Sequence, residues 1–150
     1  MKVEVLRTDS SNVAFIELTK MLDEDLAERY GSLQKQFDKY NKVGHTQVIL
    51  LCIDQHPVAC GTFKAHDTDT AEMKRIFVKK EHRKQGLAKL IMQNLEELVK
   101  SNGYQWAVLE TGIKQQEAIG LYKSIGYAVT QNYDPYIGNA NSICMKKSLS

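Results

Sequence analysis

The stretch HRKQGLAKL, residues 82–90, joins an apolar strand pattern to a long helical pattern and carries four basic or potentially basic side chains. The strand pattern ends at Phe77-Val78, and Leu87 opens a helical recurrence of apolar residues. A helix start presents unpaired backbone N–H groups and a partial positive charge, and Gly86 has no side chain to hold an anion away from them. The stretch therefore indicates either a pyrophosphate-binding loop or, on the plainer reading, a solvated helix start. It fits neither G-x-x-x-x-G-K-[ST] nor G-x-G-x-x-G.

Length and composition favour one soluble globular domain over residues 1–150. Hydrophobic residues make up 43% of the chain and charged residues 25%, which are ordinary values for such proteins. The formal net charge of +2 gives no global field for nucleic acid or for a membrane surface, so we expect neither as a partner. The longest apolar run, VILLCI, is too short to span a bilayer, and we expect a cytoplasmic protein.

Strand and helix patterns alternate along the chain in the order β-α-α-β-β-β-α-β-α-β-β. This order predicts an α/β fold in which a mixed sheet carries packed helices, because antiparallel strands precede a βαβ crossover. Ser10 or Ser11 is the expected cap of the first helix. The predicted strands are 3–8, 45–53, 58–66, 70–78, 104–110, 127–132 and 142–148, and the predicted helices are 12–30, 32–42, 86–101 and 114–125.

Two motifs in the second half of the chain resemble those of the GNAT superfamily of acyl-CoA-dependent N-acetyltransferases. RKQGLA, residues 83–88, fits the family's [QR]-x-x-G-x-[GA] pattern and lies, as in the family, between the fourth strand and the third helix. QQEAIGLYKSIGY, residues 115–127, resembles the family's N-x-x-A-x-x-L-Y-x-x-x-G-[FY] segment. The resemblance implies a GNAT-like acyl-CoA N-acyltransferase fold, with acetyl-CoA as cosubstrate and no metal.

The resemblance also implies which residues bind the coenzyme. The pyrophosphate would lie against the backbone of Arg83, Lys84, Gln85, Gly86, Leu87 and Ala88, and the main chain of Ile76, Phe77 and Val78 would pair with the pantetheine arm. Gln115 stands where the family usually has an asparagine that contacts the coenzyme. A backbone N–H near Val78 would stabilise the oxyanion.

The family's chemistry requires an uncharged amine at the thioester carbonyl, so one group must take a proton and another can protonate the departing thiolate. Glu72, fourteen residues before Gly86, resembles the base of the histone-acetylating branch. The alternatives for Glu72 are a salt bridge to Lys74 or Arg75 and a role in binding a cationic acceptor, and Glu110 is a second candidate base. Tyr122 would be the acid, on the expectation that its pKa is close to that of a thiol.

The acceptor site is predicted in the polar loop NYDPYIGNANS, where Tyr133, Tyr136 and Asn141 are the expected lining residues. The acceptor is a primary amine of unidentified class, either a small molecule or a peptide. Acidic residues on the first helix, Glu24 and Asp25 among them, indicate a cationic acceptor or only a solvated helix face. The oligomeric state stays open between monomer and homodimer.

The remaining alternatives are a non-catalytic acyl-CoA-binding module and a nucleotide-phosphate enzyme. Against the nucleotide-phosphate enzyme, the sequence lacks both the lysine-serine pair and the Asp-rich metal site that such an enzyme needs. The three cysteines lie in apolar runs and are expected to be reduced and buried, and the four histidines show no metal-ligand spacing.

Overall fold

The computed structural model of the chain describes residues 2–31, 44 and 46–150. The predicted helix over residues 32–42 lies outside the described residues, as does His45. The described elements are the strands β1 (Val3–Asp9), β2 (Gln47–Ile53), β3 (His56–Ala65), β4 (Thr70–Val78), β5 (Trp106–Gly112), β6 (Ala128–Thr130) and β7 (Ser142–Ser148), and the helices α1 (Val13–Tyr30), α2 (Leu87–Ser101) and α3 (Gln116–Ser124).

The strands form one mixed sheet in the order β1-β2-β3-β4-β5-β7-β6. The β4–β5 pair is parallel and the other neighbouring pairs are antiparallel. A parallel neighbour needs a crossover, and α2 supplies it between β4 and β5. The predicted α/β class with a mixed sheet is confirmed.

Helices cover both faces of the sheet. One face packs against α2, whose Ile91, Met92 and Leu95 are fully buried in the larger core cluster. The other face packs against α1, where Phe15 and Leu18 lie in a smaller cluster with apolar residues of β2, β3 and β4. Burying both faces explains why the central strands read as continuous apolar runs.

The N-cap of the first helix lies one or two residues later than predicted. Asn12 is the N-cap, and its Oδ1 accepts a hydrogen bond of 3.2 Å from the N–H of Phe15. The prediction of Ser10 or Ser11 is therefore wrong. The carboxylate of Asp9 accepts hydrogen bonds from both the N–H and the hydroxyl of Ser11, and this local turn removes the serine from the capping position.

Candidate active site

Strands β4 and β5 separate soon after they meet. Their pairing covers only Thr70, Ala71 and Glu72 on β4, opposite residues 106–108 of β5, although both strands continue beyond it. The second half of β4 therefore presents main-chain groups to a gap instead of to β5. An exposed strand edge of this kind can pair with an extended amide chain.

A bulge on β4 accompanies the separation. The β3–β4 register shifts between Cys60 and Thr62, and Arg75 adopts a φ of +58°. The Arg75 guanidinium donates to Thr19 O at 2.9 Å and to Asp23 Oδ1 at 2.8 Å, both on α1. These contacts fix the bulge to the helix that covers this face of the sheet.

Gly61 lies opposite the bulge on β3, and the chain needs glycine there. A Cβ at this position would lie 2.7 Å from Ile91 Cγ2 and 2.8 Å from Ile76 Cδ1. Helix α2 consequently approaches the sheet closely just where β4 turns away from β5. Helix α1 on one face of the sheet and helix α2 on the other therefore both pack against the strands that border the gap.

The loop after β4 leads to an unobstructed helix start. It runs through a 3-10 turn at Lys80–His82, and Gly86 is the N-cap of α2 with a φ of +80°. No side chain caps the helix, and in the described part of the chain the N–H groups of residues 85–88 donate no hydrogen bond. A Cβ at Gly86 would meet nothing within 4 Å. The loop fits a pyrophosphate, since backbone donors and open space coincide.

The side chain of Arg83 is directed away from this helix start. Its Nε donates to Val78 O at 2.9 Å and its Nη2 to Asp25 Oδ2 at 3.4 Å, while the guanidinium lies over the ring of Phe77. Arg83 therefore braces the loop against β4 and α1. Lys84 and Lys89 are exposed and remain the cations nearest in sequence to Gly86.

Glu72 is buried on β4 within a polar cluster. Its Oε2 accepts a hydrogen bond of 2.8 Å from Tyr133 Oη, and its Oε1 lies 3.8 Å from Lys64 Nζ and 3.9 Å from Lys74 Nζ. The Lys74 ammonium donates to Tyr136 Oη at 3.2 Å. The structure thus brings Tyr133 and Tyr136 to β4, and it also supports the salt-bridge alternative for Glu72.

Glu110 is the second carboxyl group at the gap. Burial raises its pKa to about 7, and the negative charge of Glu72 adds to this while the Lys74 ammonium opposes it. Its charge also raises the pKa values of Tyr122 and Cys144, which places Glu110 near groups on α3 and β7. A carboxyl with a pKa near 7 can accept a proton at neutral pH and release it again.

Tyr122 is buried on α3, with its ring in edge-on contact with that of Tyr127. Burial, followed by the charge of Glu110, raises the pKa of its phenol above the ordinary value of 10.0. The phenol is therefore protonated at neutral pH, but it is a weaker acid than a thiol-like pKa would make it. The expectation of a thiol-like pKa does not hold, chiefly because the phenol is buried.

Gln115 connects the end of β5 to the start of α3. Its Oε1 accepts hydrogen bonds from Gly112 N at 2.9 Å and Thr111 Oγ1 at 3.2 Å. Since the amide oxygen is occupied locally, a contact with a coenzyme would use the amide nitrogen.

The loop between β6 and β7 is held together by Asn132. Its Nδ2 lies 3.1 Å from Tyr136 O and 3.2 Å from the carbonyl oxygens of Asn139 and Ser142. Asn141 contacts the end of β5 through its backbone, where its carbonyl accepts from Ile113 N at 2.9 Å. Of the three predicted acceptor residues, Asn141 is thus the one without a contact to the β4 cluster among the described interactions.

Two basic residues of the cluster, Lys64 and Lys74, were not predicted as site residues. The available signal was the alternation of Glu72 and Lys74, which places both on one face of β4. The acidic residues of α1 lie elsewhere: Asp25 pairs with Arg83 and Arg29, and Glu24 is exposed.

Over residues 2–31, 44 and 46–150 no group of three or more His, Cys, Asp or Glu is arranged to hold a metal ion. None of the helices in that part of the chain combines the length and the apolar character needed to cross a membrane.

Comparison with known proteins connects this geometry to a family. The profile described as "Acetyltransferase (GNAT) family" matches residues 12–127. "Probable N-acetyltransferase 14" of Xenopus tropicalis is 30% identical over 103 residues, which cover 67% of this chain and 50% of that protein. The chain therefore spans about half the length of this curated relative.

Two solved structures share the fold over nearly the whole chain. A Klebsiella pneumoniae protein assigned as an acyl-CoA N-acyltransferase has a TM-score of 0.82 at 26% identity and covers 99% of this chain, with 98% of its own length matched. A GNAT family acetyltransferase from Elizabethkingia anophelis, solved with acetyl-CoA bound, has a TM-score of 0.71 at 15% identity with 97% of each chain covered. Two family motifs lie at the gap between the parallel strands, and the family profile covers residues 12–127. The chain therefore belongs to the acetyltransferase (GNAT) family.

Proposed function

We propose that residues 1–150 form one catalytic domain that transfers the acetyl group of acetyl-CoA to a primary amine. The observation that carries the proposal is the separation of β4 and β5 beyond Glu72, with the open helix start at Gly86 beyond the end of β4. An extended amide chain in the gap and a pyrophosphate at the loop fit these two features together. The acetyl-CoA bound in the Elizabethkingia protein supports this assignment of the ligand.

The reaction is direct attack of the amine on the thioester. The amine nitrogen forms a bond to the acetyl carbon, the carbon–sulfur bond breaks, one proton leaves the nitrogen, and one proton is taken up by the thiolate. A backbone N–H near Val78 would bind the developing oxyanion. Positioning both substrates in one gap supplies much of the rate enhancement.

Two carboxylates can take the proton, and their contacts favour Glu110 over Glu72. The carboxylate of Glu72 is already engaged within the cluster, because Oε2 accepts a hydrogen bond from Tyr133 and Oε1 faces two ammonium groups. The pKa of Glu110 is raised to about 7 by burial, which suits a base at neutral pH. We therefore propose Glu110 as the proton acceptor and Glu72 as a residue that organises the acceptor site.

Tyr122 is the proposed proton donor to the thiolate, and its acidity depends on Glu110. Burial is the main cause of the raised pKa of the phenol, and the charge of Glu110 adds to it. When Glu110 takes a proton from the amine, that charge disappears and the phenol becomes a stronger acid. Proton uptake at one group would thus prepare proton release at the other.

The test is thiol release from acetyl-CoA in the presence of a panel of primary amines, with the coenzyme-induced shift in melting temperature recorded on the same sample. Release that depends on an amine supports the transferase and identifies the acceptor class. A thermal shift without release from any amine supports the acyl-CoA-binding module instead. An absent shift refutes the coenzyme site itself.

A further inference from the structure

We infer that the acceptor amine also carries a carboxylate, and that Lys74 and Lys64 bind this carboxylate. The inference rests on the proposed function and concerns the same site. It begins from the β3–β4 register, in which Lys64 pairs with Glu72 and Thr62 pairs with Lys74. Side chains two residues apart on a strand share a face, so both lysines lie on the face that carries Glu72.

Two ammonium groups share one carboxylate oxygen in this cluster. Lys64 Nζ lies 3.8 Å and Lys74 Nζ 3.9 Å from Glu72 Oε1. Both distances exceed the length of a charge-assisted hydrogen bond, about 2.7–2.9 Å. Both contacts are therefore ion pairs without a direct hydrogen bond, and the half-exposed Lys64 is the ammonium group that an incoming carboxylate can reach from solvent.

The charges of the cluster also favour an anionic group on the acceptor. The two lysines and Glu72 sum to one excess positive charge, and Glu110, with a pKa of about 7, is only partly ionised at neutral pH. A polyamine would add cations to a site that is already neutral or positive. An amine with a carboxylate brings a negative charge to these lysines, and the positive surroundings favour the uncharged, reactive form of its amino group.

Burial makes this balance important for Lys74. Its side chain is 6% exposed, whereas that of Lys64 is 46% exposed. A buried ammonium group is costly unless anions and hydrogen-bond acceptors surround it. The exposed Lys64 shows that the cluster opens to solvent on one side, so a polar acceptor can enter there. The phenol oxygens of Tyr133 and Tyr136 contact Glu72 and Lys74 in the same cluster.

The experiment uses matched sets of amines that differ only in the carboxylate. Phenylalanine is compared with phenylalaninamide and phenethylamine, and leucine with leucinamide and isoamylamine, by kcat/KM for acetyl transfer. We expect the acids to exceed their amides and decarboxylated amines by about 10- to 100-fold, the range for one charge-assisted contact. The amides have the more readily deprotonated amino group, so a preference for the acids would oppose intrinsic reactivity.

Variants assign the preference to the two lysines. Lys64→Met and Lys74→Met should each lower the ratio of kcat/KM for the acids to that for the amides by about 10-fold. Lys100→Met, on the exposed end of α2, removes the same charge and should change neither series. If Lys74→Met does not fold, the half-exposed Lys64 decides the question alone.

Binding of reaction products keeps the inference testable if no amine in the panel is acetylated. N-acetylphenylalanine should then stabilise the CoA-bound protein more than N-acetylphenylalaninamide does, and equal stabilisation overturns the inference. Equal kcat/KM for acids and amides also overturns it while leaving the transferase intact. Absent binding of CoA refutes the proposed function, and the inference with it.

Discussion

Replacement of Gly86 by alanine separates the coenzyme-binding role of the helix start from its role in stability. Gly86 has a φ of +80°, and an added Cβ would meet nothing within 4 Å. An L-residue in this conformation costs about 1–2 kcal/mol, which corresponds to a few degrees in melting temperature for a chain of this length. If the phosphates occupy the open space, the methyl group must displace them from backbone N–H groups, and the affinity for CoA should fall by about 10- to 100-fold.

Gly103 provides the matched control at the other end of α2. Its φ is +94°, and a Cβ there would also meet nothing within 4 Å. Gly103→Ala should therefore cost the same stability as Gly86→Ala but leave CoA binding unchanged. Gly86→Glu adds a carboxylate to the bulk and should weaken binding further.

The assay is the thermal shift produced by CoA at about 100 times the wild-type Kd. At that concentration the wild type gains about 2.7 kcal/mol, whereas a variant with a 100-fold weaker Kd gains about 0.4 kcal/mol. We expect the full shift for wild type and Gly103→Ala and a much smaller one for Gly86→Ala. A full shift for Gly86→Ala, or an equal loss in both variants, would contradict the placement of the phosphates.

Four further predictions concern the chemistry and the framework of the site. In wild type, kcat/KM should rise with pH through about 7 as Glu110 loses its proton. Glu110→Gln should remove this rise, whereas Glu72→Gln should retain it. The reverse result would return the role of base to Glu72. Because the pKa of Glu110 is higher in the folded state than its ordinary 4.5, wild type should lose stability as pH rises from about 4.5 to about 7, and Glu110→Gln should not, as measured by urea unfolding. Tyr122→Phe should lower kcat by about 10- to 100-fold with little change in Kd for acetyl-CoA, and a full-rate variant would exclude a role as acid. Gly61→Ala should destabilise the protein by about 1–3 kcal/mol through overpacking, whereas Gly120→Ala, which meets nothing within 4 Å in α3, should be neutral or stabilising; equal melting temperatures would contradict the close approach of α2.

Local sequence patterns predict those helices and strands whose structure depends mainly on neighbouring residues. The helical recurrence after Gly86 and the apolar runs of β2 and β3 indicate their own structure, since each pattern matches one geometric period. The strand 127–132 is shorter than predicted and covers only Ala128–Thr130. A short edge strand has few cross-strand partners to extend it.

The charge properties of the site depend on contacts between distant parts of the chain, which no local pattern contains. The pKa of Glu110 follows from burial and from charges on β4, and Lys64 joins the cluster only because its register places it opposite Glu72. The bulge is equally hard to predict from the sequence, because nothing in the sequence around Arg75 indicates its positive φ. The packing of distant segments produces these features and also brings them together at the site.

The brief contact between β4 and β5 divides the sheet into two plates, one of four strands and one of three, joined by a seam of three residue pairs on each strand. Few main-chain contacts therefore join the two plates directly. A pantetheine chain paired along β4 would extend this contact and restrict the motion of the two plates relative to each other. Amide hydrogen exchange should then slow on both sides of the gap when coenzyme binds, in β5 and β7 as well as in β4, although most of those amides never touch the ligand.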